Sequence, residues 1–235
     1  MYKRQVLVND AQGQVREEQI PLERPETTLR LDKKVHFDKQ GNGATQATIT
    51  FSRLPLMQMS VADRQQGTTA TDQNICGNFG NEISDCKITR HPTAFVVHDG
   101  YTVNASMNDQ RALEKLANDY VYTDESLKGR WDGFINYRRH DQQADLYLGN
   151  PETYDYRFTL TGGQMEKAIP GCQVRSPWYD LDLDGKRTDD GLQYHYRLSQ
   201  KIRWLPHAEV ASEAFGKMID EARACAEQVH QVVKL

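Results

Sequence analysis

The residues with the clearest capacity for chemistry form one short run. In Trp178-Tyr179-Asp180-Leu181-Asp182-Leu183-Asp184-Gly185, carboxylates recur at every second position. That spacing matches the first half of a calcium-binding loop, in which alternate carboxylates converge on a hard cation and a glycine allows the sharp turn. The second half departs from the pattern: the twelfth position, where a bidentate acid belongs, holds Gly191, and Asp190 falls one place early. Asp180, Asp182, Asp184 and Asp190 are therefore candidate Ca²⁺ ligands. The competing reading is a solvated strand face, which needs no ligand. No other cofactor is expected.

The aromatic return segment Leu192-Gln193-Tyr194-His195-Tyr196-Arg197-Leu198 follows. With the acidic run it offers a candidate binding surface of Trp178, Asp180, Asp182, Asp184, Tyr194, His195 and Tyr196. Of the seven histidines, only His195, between two tyrosines, and His98, beside an Asp-Gly turn, stand in settings that look selected. The chain has no GxSxG elbow, no HExxH, no glycine-rich phosphate loop and no dinucleotide fingerprint.

The cysteines point to a compartment. Cys76 and Cys86 frame a loop rich in Gly and Asn that has little reason to be ordered unless it is clipped, so a Cys76/Cys86 disulfide is expected. A Cys172/Cys225 bridge would tie the final helix to the sheet. Four reduced thiols in a cytoplasmic protein are the alternative, and no CxxC or paired metal spacing suggests zinc. The start, Met1 to Gln5, resembles read-through of a sequencing adaptor, so the native N-terminus and any export signal are expected to be missing.

The elements that must position these groups read mostly as hairpins. Alternation in Tyr179–Asp184 aims Tyr179, Leu181 and Leu183 at one face and the aspartates at the other, and the loop from Lys186 to Gly191 reads as long and polar. Residues 1–22 read as a separate N-terminal hairpin, with a truncated remnant of a larger unit as one reading of it. Residues 23–235 read as one domain with possible sub-halves 23–122 and 123–235. Within it, Thr28–Phe37 pairs with Ala44–Arg53, and Ala94–Ala105 forms a hairpin turning at Asp99-Gly100. Further expectations are an apolar stretch at 54–61, a mobile loop over 62–73, a helix from Asp109 to about Tyr120 capped by Asn108, and a hairpin of 129–139 with 144–149. A long final helix carries the stripe Ala211, Phe215, Met218, Ala222, Cys225, Val229 and Val232.

This order implies an α+β fold: an antiparallel sheet of hairpins with one short and one long C-terminal helix packed on it. A chain of 235 residues can bury a core without staples, and a net charge of −4 without basic runs argues against nucleic acid. Two function classes follow. The first is a non-enzymatic binding protein of the bacterial envelope, periplasmic or otherwise extracytoplasmic, of immunity, inhibitor or lipoprotein type, with a protein partner. The alternative is an envelope hydrolase with an acidic, Ca²⁺-dependent site around Asp180–Asp190.

Overall fold

The computed structural model describes residues 5–9, 15–19, 26–80, 82–91, 101–117, 119–139 and 144–235. The strands and helices, in chain order, begin with β1 (Gln5–Asn9), β2 (Val15–Gln19), β3 (Glu26–Phe37), β4 (Gly43–Phe51), α1 (Arg53–Gln66) and α2 (Thr68–Gly77). They continue through β5 (Ile83–His91), β6 (Tyr101–Asp109), β7 (Glu114–Leu116), β8 (Asp119–Tyr122), α3 (Glu125–Arg139), β9 (Leu146–Tyr147) and β10 (Glu152–Thr161). Last come β11 (Gln164–Met165), β12 (Cys172–Arg175), β13 (Tyr179–Thr188), β14 (Gly191–Gln200), β15 (Trp204–Leu205), α4 (His207–Ala211), α5 (Glu213–Ala226) and β16 (Gln231–Lys234).

The fold is α+β, built on an eight-stranded sheet in the order β12-β13-β14-β10-β3-β4-β6-β5. Every neighbouring pair in it runs antiparallel except β10 with β3, which are parallel. β1 and β2 pair only with each other, as the expected hairpin, and β11-β16-β8-β7 form a second, four-stranded sheet.

Because side chains alternate along a strand, the large sheet has one apolar and one polar face. On the apolar face, Tyr179, Leu181 and Leu183 of β13 and Leu192, Tyr194, Tyr196 and Leu198 of β14 are buried. Helices cover them: Phe215 of α5 meets Trp178 edge-on with ring centroids 5.0 Å apart, and Trp131 of α3 meets Tyr179 at 5.4 Å. Toward the other end of the sheet, Leu56 and Met59 of α1 and Ile75 of α2 close over Ile49 and Val103. The second sheet packs against the same face through Tyr122, whose ring lies 5.9 Å from that of Phe37.

Both cysteine pairs stand at disulfide distance, with Cα separations of 6.2 Å for Cys76–Cys86 and 5.9 Å for Cys172–Cys225. The first joins α2 to β5 and the second joins β12 to α5. In the chain-entropy picture, loops of 10 and 53 residues make these bridges worth about 3 and about 4 kcal/mol.

Several expectations need correction. The stretch 62–73, read as a mobile loop, is helical. Its few apolar residues are supplemented by an anchor from outside, since Arg90 on the inner face of β5 reaches Asp63 of α1 and Asp72 of α2, both at 2.6 Å. The described residues of 109–120 are not helical. Asp109 spends its carboxylate on the backbone N–H groups of Arg111 and Glu82, making a turn, and β8 then pairs with β16. Residues 129–139, read as a strand, are helical: Trp131, Phe134 and Arg138 recur at helical spacing, the two rings buried and the guanidinium donating to the carbonyls of Val210 and Ser212.

The final stripe also splits. Phe215, Met218, Ala222 and Cys225 are the buried face of α5, whereas Val229 lies in a 3₁₀ turn and Val232 in β16. The loop read as running from Lys186 to Gly191 is a two-residue turn, because Thr188 pairs with Gly191. The Asp99-Gly100 turn and His98 lie outside the described residues, although the second arm of that hairpin is the start of β6.

A polar network crosses the core. The Tyr194 hydroxyl donates to Asp124 at 2.7 Å and stands 3.3 Å from the Tyr122 hydroxyl. Burial, reinforced by the Asp124 charge, pushes both phenols above their ordinary pKa. A tyrosine in the unfolded chain ionises near pH 10, so the folded state holds these protons where the unfolded state releases them. Stability is therefore expected to be intact below about pH 10 and to fall above it, by up to about 1.4 kcal/mol per pH unit for each ring. Urea midpoints between pH 9 and 11 measure this, and Tyr122→Phe or Tyr194→Phe should each flatten the slope. Phe215→Ala, emptying a fully buried ring site, should cost about 3–5 kcal/mol with a midpoint independent of protein concentration.

Candidate functional site

The sequence-selected residues divide between the two faces of the sheet. Trp178, Tyr194 and Tyr196 are buried and therefore do not form a binding surface. Trp178 is 7% exposed and packs on Phe215, while Tyr194 stacks on Phe158 at 4.5 Å. Large aromatic rings at alternate positions are what the apolar face of a strand needs, and Tyr194 and Tyr196 share the phase of Leu181 and Leu183, whereas Trp178 has the parity of the aspartates and is turned inward by the bend before β13.

Asp180, Asp182, Asp184 and His195 do lie together on the polar face, but the carboxylates do not converge. Alternate residues of an extended strand stand about 6.6 Å apart, with their side chains side by side rather than aimed at one point. Each instead has its own partner. Asp180 pairs with Lys201 at 2.6 Å, Asp182 with Arg175, and Asp184 with His195 Nδ1 at 3.5 Å. Asp190 sits in the apical turn, accepting from the Thr188 hydroxyl, about 26 Å along the strand from Asp180. Among the described residues no group of three or more His, Cys, Asp or Glu side chains is placed to hold a metal. Gly185 serves packing rather than a turn, since a Cβ there would come within 2.5 Å of Ile169.

His195 is held between two carboxylates. Its Nε2 lies 3.2 Å from Asp155 of β10, and Asp155 also takes a contact from Arg157 at 3.5 Å. Asp155 is buried, whereas Asp184 is 79% exposed at its side chain.

Strand register sets the polar face out as rows running across the sheet. One row reads Lys186, Gln193, Thr159, Lys34, Gln46, Ser106 and Lys87, in which every residue is the Cα partner of the next. The next row reads Asp184, His195, Arg157, Asp32, Thr48, Asn104 and Thr89. Over β3, β4, β6 and β5 the face is hollowed into two overlapping troughs of 490 and 690 Å³ that share Lys34, Gln46, Ser106 and Lys87.

No protein-family model, curated protein or solved structure matches this chain.

A β-bulge shapes the trough's far wall. β5 inserts one extra residue opposite β6 between Ser84 and Lys87, and Asp85 takes a left-handed backbone conformation, φ 52°. The extra residue keeps Lys87 on the polar face and turns Cys86 inward toward α2. Lys34 and Lys87 have no carboxylate partner among the described residues and stand about 14 Å apart across three strand spacings. Asn104 accepts from the Thr48 hydroxyl at 2.9 Å, Asn108 donates to Asp85 at 3.4 Å, and His36 Nδ1 is hydrogen-bonded to the Thr161 hydroxyl at 3.0 Å. Such a surface can accept hydrogen bonds, donate them, and offer two cations to an acidic group.

The trough was missed in the sequence, although the expected pairing of Thr28–Phe37 with Ala44–Arg53 does bring Lys34 opposite Gln46. What the sequence lacks is the pairing of those strands with β6 and β5.

Burial separates the energetic weight of the acids on this face. Asp182→Asn removes an exposed ion pair and should change stability by less than about 1 kcal/mol. Asp155→Ala takes away a buried acceptor shared by His195 and Arg157 and should cost about 1–3 kcal/mol. Urea unfolding of the two variants side by side checks the ranking.

Proposed function

We propose that this chain is a non-enzymatic, extracytoplasmic binding protein that docks a protein partner on the polar face of its large sheet. The partner presents an acidic segment to the row through Lys34, Gln46, Ser106 and Lys87. The observation that carries the reading is the pair of unpartnered lysines at the two ends of a concave row of neutral hydrogen-bonding side chains. The site thus moves from the Asp180–Asp184 ladder, whose carboxylates already have partners within the molecule, to the four neighbouring strands.

An extracytoplasmic setting is supported by the two cysteine pairs at disulfide distance, which leave no described cysteine free. Among the described residues no helix is long and apolar enough to cross a membrane. Lysine charges on an open face contribute mainly to encounter rate and specificity, so the association should be salt-sensitive.

Fluorescence anisotropy with a labelled deca-glutamate peptide tests this. Binding is expected at low ionic strength, weakening by about tenfold or more between 20 and 300 mM NaCl. It should weaken by a similar factor in the double variant Lys34→Glu/Lys87→Glu, and it should survive Asp189→Asn/Asp190→Asn at the apical turn. Equal binding by the charge-reversed protein would remove the trough from consideration.

A further inference from the structure

On the opposite, apolar face of the sheet, the first residue of β10 is out of keeping with its surroundings. Glu152 is 6% exposed, at the end of the row of inward side chains that continues through Tyr154, Phe158 and Leu160. Its Oε2 accepts from the Tyr154 hydroxyl at 3.0 Å and from the Thr28 hydroxyl at 3.4 Å. Its Oε1 is buried and has no hydrogen-bond partner. No Lys, Arg or His of the described residues pairs with it.

A buried carboxylate held only by neutral hydroxyls, with one oxygen unsatisfied, is costly, and such groups in native proteins call for a specific explanation. Glu152 also lines a cavity of 760 Å³ between α1, α2, the end of the sheet and the segment 147–149. The other walls are mainly apolar, among them Leu29, Phe51, Met59, Ile75 and Tyr154. That volume lies within the range of small-molecule sites, which are mostly apolar with a few fixed polar groups.

We propose that this cleft binds a small organic amine, its ammonium group donating to the Glu152 carboxylate and its apolar body lying against Phe51, Met59 and Ile75. A carboxylate is acceptor-only, so the ligand must bring a donor. A cationic donor supplies both the missing hydrogen bond and the missing counter-charge, and charge-assisted bonds of this kind are roughly twice as strong as neutral ones. The Tyr154 ring beside the carboxylate offers a further electrostatic contact to an ammonium group. The site is on the other side of the sheet from the polar trough and stands or falls independently of it.

The test is calorimetric titration of the intact chain with tryptamine, and with the neutral and anionic counterparts tryptophol and indole-3-propionate. Tryptamine is expected to bind with Kd below about 1 mM, tryptophol at least about tenfold more weakly, and indole-3-propionate not measurably. Glu152→Gln keeps the shape of the side chain and should weaken tryptamine by about tenfold or more. Ala62→Trp fills the cleft from α1, leaving Glu152 itself unchanged, and should abolish binding of tryptamine and tryptophol. Equal affinity for amine and alcohol, amine binding unchanged in Glu152→Gln, binding retained by a folded Ala62→Trp, or no response of the parent chain to tryptamine would each overturn the proposal.

Discussion

Register across eight strands is the constraint on which the rest of this molecule depends. Side chains alternate with a period of two, so slipping one strand by a residue would exchange its buried and exposed sets. In this sheet the exchange would put Tyr194 and Tyr196 in water and His195 in the core. Burial of the rings and leucines of β13, β14 and β10 therefore fixes the alignment of the polar face as strictly as that of the apolar one. The rows of the polar face are a by-product of core packing. Seven strands place their side chains in one line without any contact among most of those side chains, and only then can Lys34 and Lys87 bracket a common trough.

Where the folding signal is local, the sequence shows it. The alternation of Tyr179, Leu181 and Leu183 against Asp180, Asp182 and Asp184 assigned faces correctly, as did the stripe of Phe215, Met218, Ala222 and Cys225 on the final helix. Legibility failed where the deciding contact comes from far along the chain. Residues 62–73 look too polar to hold a structure, and they are fixed by Arg90 and by the Cys76–Cys86 pair. Residues 129–139 carry too few apolar side chains to settle a period of 2 against 3.6. Trp131 and Phe134 are resolved as a helix face only by Tyr179 and Phe215 packing on them.

The candidate sites follow the same rule. The acidic ladder was visible, but the groups around it were not: Lys201 lies beyond the return strand, and Asp155, which holds His195, lies on β10, earlier in the chain. Trp178, Tyr194 and Tyr196 were read as a surface because aromatic residues next to acids resemble an interface in one dimension, whereas in three they belong to opposite sides of one sheet. Glu152 gave no sign of itself, since a lone glutamate before an aromatic strand is unremarkable until its burial is known.

The parallel pairing of β3 with β10 has a consequence for how the chain comes to be folded. Its partners are more than a hundred positions apart, as in His36 with Thr161, and contacts of that separation close slowly. During synthesis β3, β4, β5 and β6 emerge long before β10, leaving the inner edge of β3 with unpaired N–H and C=O groups, a template for pairing with another chain. A β-rich intermediate of this kind is prone to associate with itself while it waits. The centre of the native sheet is then the last part of the N-terminal strands to be protected, and the yield of folded protein is governed by how quickly the second half of the chain arrives.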